Sequence, residues 1–335
     1  MSIKAIIPVA GKGLRLRPLT YTQPKPLISV AGKPIISFII DQLLEAGVEE
    51  FVFIIGYLGE KIKLYIEEHY PDLNTTFVHQ EKRLGSGHAI WLARESFDTA
   101  DEVIIFFGDA IIDTDLKALV ALPHSAIGVK KVDDPRNFGV VELGKNGKIK
   151  ALEEKPRIPH SNLAMVGVYK IKQVPAFIKA LDAAVQDGIN QEDEIPLTNA
   201  LAKMVDKGIS LRSFEVDNWF DCGQMDILLE TNAAFLDREG YASYDLPAFY
   251  NSIIIHPVSI GHHCQIINSI IGPHVTIGDH VNIKGAIIKN SIIGDYSSVR
   301  EIILRKSVIG NDASITGFRQ SLNIGDNTEI DFSPK

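Results

Sequence analysis

Ile3-Lys4-Ala5-Ile6-Ile7-Pro8-Val9 runs directly into Ala10-Gly11-Lys12-Gly13-Leu14-Arg15-Leu16-Arg17-Pro18. The first seven residues are aliphatic apart from Lys4. A run without polar alternation marks a strand covered on both faces, as in a parallel sheet. Of the next nine, three are small (Ala10, Gly11, Gly13) and three are basic (Lys12, Arg15, Arg17). Glycines let backbone N–H groups approach an anion, and an arginine can clamp a phosphate through two hydrogen bonds. The spacing is neither G-x-G-x-x-G nor G-x-x-x-x-G-K-[ST].

Downstream, strand and helix patterns alternate. A helix is expected over 35–46, ended by Gly47, then a strand over 51–55 and a helix over 60–69. A strand over 75–79 follows, then a short helix opened by Ser86-Gly87, and an apolar strand over 103–107. Such alternation predicts an α/β fold with a doubly wound, mostly parallel sheet. Ligands in such sheets bind beyond the carboxyl ends of the strands. From about residue 126 the pattern changes. Strands over 138–143 and 148–154 flank Asn146-Gly147, a two-residue hairpin signal. A strand over 165–171 and helices near 174–186, 194–207 and 224–237 complete the region, and 238–250 reads as a linker.

Residues 251–317 carry aliphatic–glycine pairs: Ile260-Gly261, Ile271-Gly272, Ile277-Gly278, Ile293-Gly294 and Ile309-Gly310. Aliphatic residues recur six positions on, from Ile271 to Ile277 to Ile283, and from Ile293 to Val299. A six-residue period predicts a parallel β-helix. Two domains are therefore expected, 1–239 and 240–335.

The net charge of -8 argues against a general nucleic-acid binder. Lys4, Lys12, Arg15, Arg17, Lys25 and Lys33 nevertheless all precede the first acidic residue, Asp41, which points to a local anion site. No apolar run reaches the roughly 18 residues of a membrane span. Two cysteines, Cys222 and Cys264, supply no disulfide framework, and a cytoplasmic setting is expected.

Four further motifs carry chemistry. In Pro24-Lys25-Pro26-Leu27 two prolines fix the backbone around one ammonium group. Phe106-Phe107-Gly108-Asp109 sets a carboxylate just past a strand, and Mg²⁺ favours hard oxygen. Glu153-Glu154-Lys155-Pro156 offers a carboxylate for hydroxyl groups beside a cation. Trp219-Phe220-Asp221-Cys222-Gly223 supplies a second carboxylate. Taken singly, each also fits an ordinary turn, surface segment or helix cap.

Taken in order, the loop and these four motifs resemble the nucleotide-sugar pyrophosphorylases, a family of sugar-phosphate nucleotidyltransferases. The family pattern is similar to G-x-G-x-R-L-x-P-x-T, P-K-P-L, G-D, E-K-P and W-x-D-x-G, matched here from Gly11 to Gly223. Asn162–Tyr169 and Ser321–Asp326 resemble the long form of the glucose-1-phosphate thymidylyltransferases. The tail resembles the left-handed β-helix of longer members, and the first domain their Rossmann-like domain. One departure is Leu14, where the family usually has threonine.

The resemblance implies transfer of a nucleoside monophosphate unit from an NTP to a sugar 1-phosphate, with release of pyrophosphate. It implies Arg15 and Lys25 on the phosphates, and Asp109 and Asp221 as ligands of Mg²⁺. Ala10, Gly11, Gly13, Gln80 and Gly85 would hold the nucleotide, with Gln80 reading the base. Gly139, Glu154 and Lys155 would hold the sugar phosphate. The expected preference is dTTP, then UTP, with uridylyl or guanylyl transfer as alternatives. The flat β-helix faces make a homo-oligomer the expected state. Five histidines lie between 256 and 280 (His256, His262, His263, His274 and His280), which leaves open an acyltransferase activity in the tail. A nucleotide-sugar sensor without turnover is a third reading.

Overall fold

The computed structural model describes residues 2–191 and 194–317, and the descriptions below refer to those residues. The motif Ser321–Asp326 lies outside them. The chain divides into two compact units, Met1–Thr231 and Asn232–Lys335, a division that falls inside the helix Met225–Leu236.

The first unit is built on nine paired strands among the described residues. Its main elements are β1 (Ile3–Pro8), α1 (Ile35–Glu45), β2 (Glu50–Ile55), α2 (Gly59–His69), β3 (Asn74–His79), α3 (Ser86–Leu92), β4 (Glu102–Phe106), β5 (Ile111–Asp113), α4 (Leu116–Ala121), β6 (Ser125–Lys131), β7 (Gly139–Leu143), β8 (Ile149–Glu154), β9 (Leu163–Ile171), α5 (Val174–Gln191), α6 (Leu197–Asp206), β10 (Leu211–Glu215) and β11 (Asn218–Phe220). The path runs β8-β7-β9-β4-β1-β2-β3, and β6 and β10 extend from β9. β4, β1, β2 and β3 are mutually parallel. Ala5, Ile6 and Ile7 of β1 are fully buried, as expected of a strand covered on both faces. Truncating one such isoleucine to alanine costs about 2–5 kcal/mol.

Because β1, β3 and β4 run the same way, the segments leaving their carboxyl ends gather at one edge. They carry Val9–Gly13, Gln80 and Phe107–Asp109. Helix α1 starts after Pro34 and closes in a Schellman turn. The Gly47 N–H donates to Leu44 O and the Val48 N–H to Leu43 O. Ile35, Ile36, Phe38, Ile39, Ile40 and Leu43 form its buried face.

The β7–β8 hairpin forms, but not through a two-residue turn. The connection runs from Gly144 to Lys148 and contains one 3-10 turn, Lys145–Gly147, in which Gly147 has φ 69°. The connecting residues 144–148 stay out of the ladder, and the strands pair from Leu143 and Ile149 outward.

A buried ion cluster ties β4 to β9. Lys170 Nζ lies 2.7 Å from Glu102 Oε2 and donates to Leu122 O at 2.7 Å, and Lys172 Nζ lies 2.5 Å from Glu102 Oε1. Burial opposes the Glu102 charge, but the two ammonium groups hold its carboxyl below the usual carboxylate range.

In the second unit, short parallel strands stack in three sheets of four among the described residues, the arrangement of a left-handed parallel β-helix. One sheet holds Ile253–Ile254, Ile270–Ile271, Ile287–Lys289 and Ile303–Arg305 in register. Ile266, Ile271, Ile277, Ile283, Ile288, Ile293 and Val299 point into its core. The six-residue step holds from Ile271 to Ile277 to Ile283 and from Ile293 to Val299. At other corners, such as Ile266 to Ile271 and Ile283 to Ile288, the step is five, which explains the offsets in the repeat. His263, His274 and His280 sit at corner positions with φ of 57–58°. His263, His280 and Tyr296 stack ring on ring from coil to coil, at centroid distances of 4.8 and 4.9 Å. Among the described residues, no helix is long and apolar enough to cross a membrane.

Candidate active site

A cavity of about 570 Å³ opens at the sheet edge where β1, β3 and β4 end. Pro8, Val9, Ala10, Gly11, Gly13, Leu14 and Arg15 form one wall, and Lys25, Phe107, Gly108 and Asp109 line it beside them. Gln80, Arg83, Gly85, Ser86 and Ala89 close another side.

The loop after β1 is shaped at Gly13, which has φ 60° and leads into a 3-10 turn over Leu14–Leu16. A Cβ there would lie 3.0 Å from Thr20 Cγ2 and 3.2 Å from Lys25 Cβ, so the loop packs against the segment carrying the lysine. The Thr20 hydroxyl donates to Gly13 O at 2.8 Å. Lys25 itself lies in a second 3-10 turn, Lys25–Leu27, entered from Pro24 at φ -66°. The two prolines thus initiate a helical turn rather than an extended segment, and the lysine is buried.

Two carboxylates meet that lysine. Its Nζ lies 3.4 Å from Asp109 Oδ2 and 3.7 Å from Asp221 Oδ1. The Arg15 guanidinium lies 3.5 Å from Asp221 Oδ2. Strand pairing accounts for the meeting. β11 runs antiparallel to β5 with Phe220 opposite Ile111, so Asp221, one step beyond β11, comes alongside the segment just before β5 that holds Asp109. The Asp221 carboxylate also accepts the Gly223 N–H at 3.1 Å. The Cys222 thiol between them is fully buried, and burial pushes it up to about 11, so it stays protonated near neutral pH.

At the other end of the cavity, Gly85 has φ 102° and precedes α3. A Cβ at this position would lie 2.6 Å from Ile195 O, which leaves room only for glycine. Gln80 is buried. Its Nε2 donates to Gly85 O at 3.2 Å and to His88 Nδ1 at 3.1 Å. Burial lowers the His88 pKa, which favours the neutral ring that can accept this bond.

This arrangement of loop, lysine and carboxylates occurs within the span 4–238 that matches the family described as Nucleotidyl transferase. The chain belongs to that family. A glucose-1-phosphate thymidylyltransferase of Streptomyces antibioticus is 30% identical over 315 residues, 87% of this chain and 87% of the relative. A bifunctional protein GlmU of Methanocaldococcus jannaschii is 37% identical over 238 residues, 70% of this chain but only 54% of that protein. Among solved structures, a UDP-glucose pyrophosphorylase complexed with UDP-glucose shares the fold, with a TM-score of 0.61 at 24% identity over 70% of this chain and 98% of that chain.

In this nucleotidyl transferase, Ala10, Gly11, Gly13, Arg15, Lys25, Gln80, Gly85 and Asp109 all line one cavity. Asp221 joins them through Lys25 and Arg15. Gly139, Glu154 and Lys155 form a second group on the hairpin. The Thr198 hydroxyl donates to Glu154 Oε2 at 2.5 Å, and a Cβ at Gly139 would lie 3.1 Å from that same oxygen. Lys155 is exposed and holds φ 46°, a conformation that lysine rarely adopts. Its N–H donates to Phe138 O, and the Phe138 ring meets Trp219 edge-on at 4.9 Å, which links this group to the segment carrying Asp221.

Arg83, Ser86, Glu194 and Thr198 were not anticipated from the sequence. Ser86 opens the short helix expected from Ser86-Gly87, without a site role having been assigned to it. Glu194 and Thr198 lie beside and within α6, whose pattern gave no sign of a site. Asp109 and Asp221 suit a Mg²⁺ ion, which is commonly held by one or two carboxylates and completes its shell with phosphate oxygens and water.

Proposed function

We propose that the protein transfers a nucleoside monophosphate unit from an NTP to a sugar 1-phosphate. The observation that carries this reading is the convergence of Lys25, Arg15, Asp109 and Asp221 on a cavity walled by the Gly11–Gly13 loop. An oxygen of the sugar phosphate attacks the α-phosphorus, the bond from that phosphorus to the bridging oxygen breaks, and pyrophosphate leaves. A phosphate monoester is already ionised near neutral pH, so no general base is needed. The work of the site is positioning and charge compensation.

The Gly11–Gly13 loop receives the triphosphate, and Arg15 binds the departing pyrophosphate. Lys25 leaves its two carboxylates for the α- and β-phosphates. Asp109 and Asp221 hold Mg²⁺, which when bound polarises the α-phosphate. Glu154, oriented by Thr198, accepts from sugar hydroxyls, and Lys155 neutralises the sugar phosphate.

Gln80 reads the base. Both hydrogens of its amide are engaged by Gly85 O and His88 Nδ1, so Oε1 is the group left for a ligand. An acceptor there matches the N3–H of thymine or uracil, and the Gly85 N–H supplies a donor for the adjacent carbonyl. This favours thymidylyl or uridylyl transfer, with glucose 1-phosphate as the first sugar to test, by likeness to the Streptomyces relative. The thymine methyl is worth only about 1–3 kcal/mol in an apolar pocket, so both nucleotides are expected to serve. The test is pyrophosphate release from each of four NTPs with glucose, mannose and N-acetylglucosamine 1-phosphates. Preference for dTTP and UTP supports the reading. Preference for ATP or GTP overturns the base assignment, and no release with any pair overturns the activity.

A further inference from the structure

We infer that His88 is a positioning residue that locks the Gln80 amide so that it presents only an acceptor to the nucleotide base. The inference rests on the reading of Gln80 given above.

An amide can usually rotate to offer either its oxygen or its nitrogen. Here two acceptors prevent that. Gly85 O, 3.2 Å from Nε2, can accept but never donate, so the amide oxygen cannot take that position without repulsion. His88 Nδ1, 3.1 Å from the same nitrogen, accepts the second amide hydrogen. Gln80 and His88 are both buried, so water does not substitute for either partner at low cost. For Nδ1 to accept, the ring proton must sit on Nε2, and burial shifts the ring toward the neutral form that this requires.

The consequence is a choice between classes of base. A fixed acceptor pairs with the ring N–H of a 4-oxopyrimidine or 6-oxopurine. It faces the bare ring nitrogen of cytosine or adenine, where two lone pairs repel. Without His88, the amide loses one of the two bonds that oppose rotation, and turning its nitrogen toward the ligand becomes easier.

The experiment compares kcat/KM for dTTP against dCTP, and for UTP against CTP, in the wild type, His88→Leu, His88→Asn and Gln80→Ala. Each protein is first checked for an intact thermal transition, and His88→Phe replaces the leucine variant if that fails to fold. His88→Leu is expected to reduce the preference for the oxo-pyrimidine by about tenfold, the scale of one buried hydrogen bond. His88→Asn, which can return an acceptor near the place of Nδ1, is expected to restore most of it. A loss in His88→Leu shared equally by both nucleotides, or an asparagine variant no better than leucine, would mean that His88 acts only in packing and would overturn the inference. An unchanged preference in Gln80→Ala overturns the base-reading assignment itself. A preference flattened in Gln80→Ala but intact in His88→Leu overturns the role of His88 alone.

Discussion

The ammonium of Lys25 lies 3.4 Å from the carboxylate of Asp109, with the lysine buried and the aspartate exposed at the cavity wall. A buried cation whose neighbour faces a cavity holds a charge ready for an anion without reorganising the fold. Asp109→Asn keeps the shape and removes the charge that would hold a metal. Turnover is expected to fall by about 10²–10³, the scale seen when one preorganised electrostatic contact is lost. The thermal midpoint should change little. Excess EDTA is expected to abolish activity of the unmodified protein. Full turnover in either case contradicts the metal assignment.

Lys25 and Lys33 lie close in sequence but in different settings. Lys33 pairs with Asp41 and does not line the cavity, whereas Lys25 does. Lys25→Ala is expected to lower kcat by about 2–4 kcal/mol of transition-state stabilisation, because a contact to the departing phosphates strengthens as charge develops. Arg15→Ala should follow the same pattern. Lys33→Ala should leave kcat near the wild-type value. Steady-state kinetics of the three variants decides whether position or mere basicity matters.

Glu102 gives a pH dependence of stability with a definite sign. Its folded carboxyl lies below the ordinary glutamate value of about 4.3. The unfolded chain therefore takes up the proton first as pH falls. The stabilising contribution is complete above the unfolded value and is lost as pH drops through the folded one. Glu102→Gln is expected to cost about 3 kcal/mol at neutral pH, since a buried ion pair is broken by removing one partner. The variant should also show a shallower loss of stability on acidification. Denaturant titrations at several pH values measure both effects.

Every cavity-lining residue, together with Asp221, Glu154 and Thr198, lies in the unit Met1–Thr231. A chain ending after Ser243 retains all of that unit and the helix Met225–Leu236. It is expected to keep most of its turnover and to change mass in solution, since the β-helix is proposed to serve association. A folded but inactive truncation would place part of the chemistry in the tail. An unchanged mass by light scattering would remove the associative role.

The alternating pattern up to residue 107 made the central strands legible, because strands covered on both faces leave uninterrupted aliphatic runs. The β-helix was legible for a similar reason: its aliphatic residues must return to one narrow core. Its shorter corners were not, since a five-residue step is set by turn geometry rather than by composition. In the site, Lys25, Asp109 and Asp221 could each be named from local motifs. Their meeting depends on the β5–β11 register, which no local pattern encodes. The Gln80–His88 bond was hidden for a different reason. It crosses the turn at Gly85, which holds φ 102°. Thr198 was missed because it lies on the buried face of its helix with Leu197, Leu201 and Met204, where a threonine reads as ordinary core.

The central claim is nucleotidyl transfer at the α-phosphorus, and following that phosphorus tests it most directly. The 335-residue chain is incubated with glucose 1-phosphate, Mg²⁺ and dTTP labelled at the α-phosphate. The products are then separated by anion exchange. The label is expected in a sugar-linked diphosphate that appears in equal amount with unlabelled pyrophosphate, and no product is expected when glucose 1-phosphate is omitted. Label released as free thymidine monophosphate, or retained wholly in dTTP with each sugar 1-phosphate tried and with UTP in its place, would contradict the account.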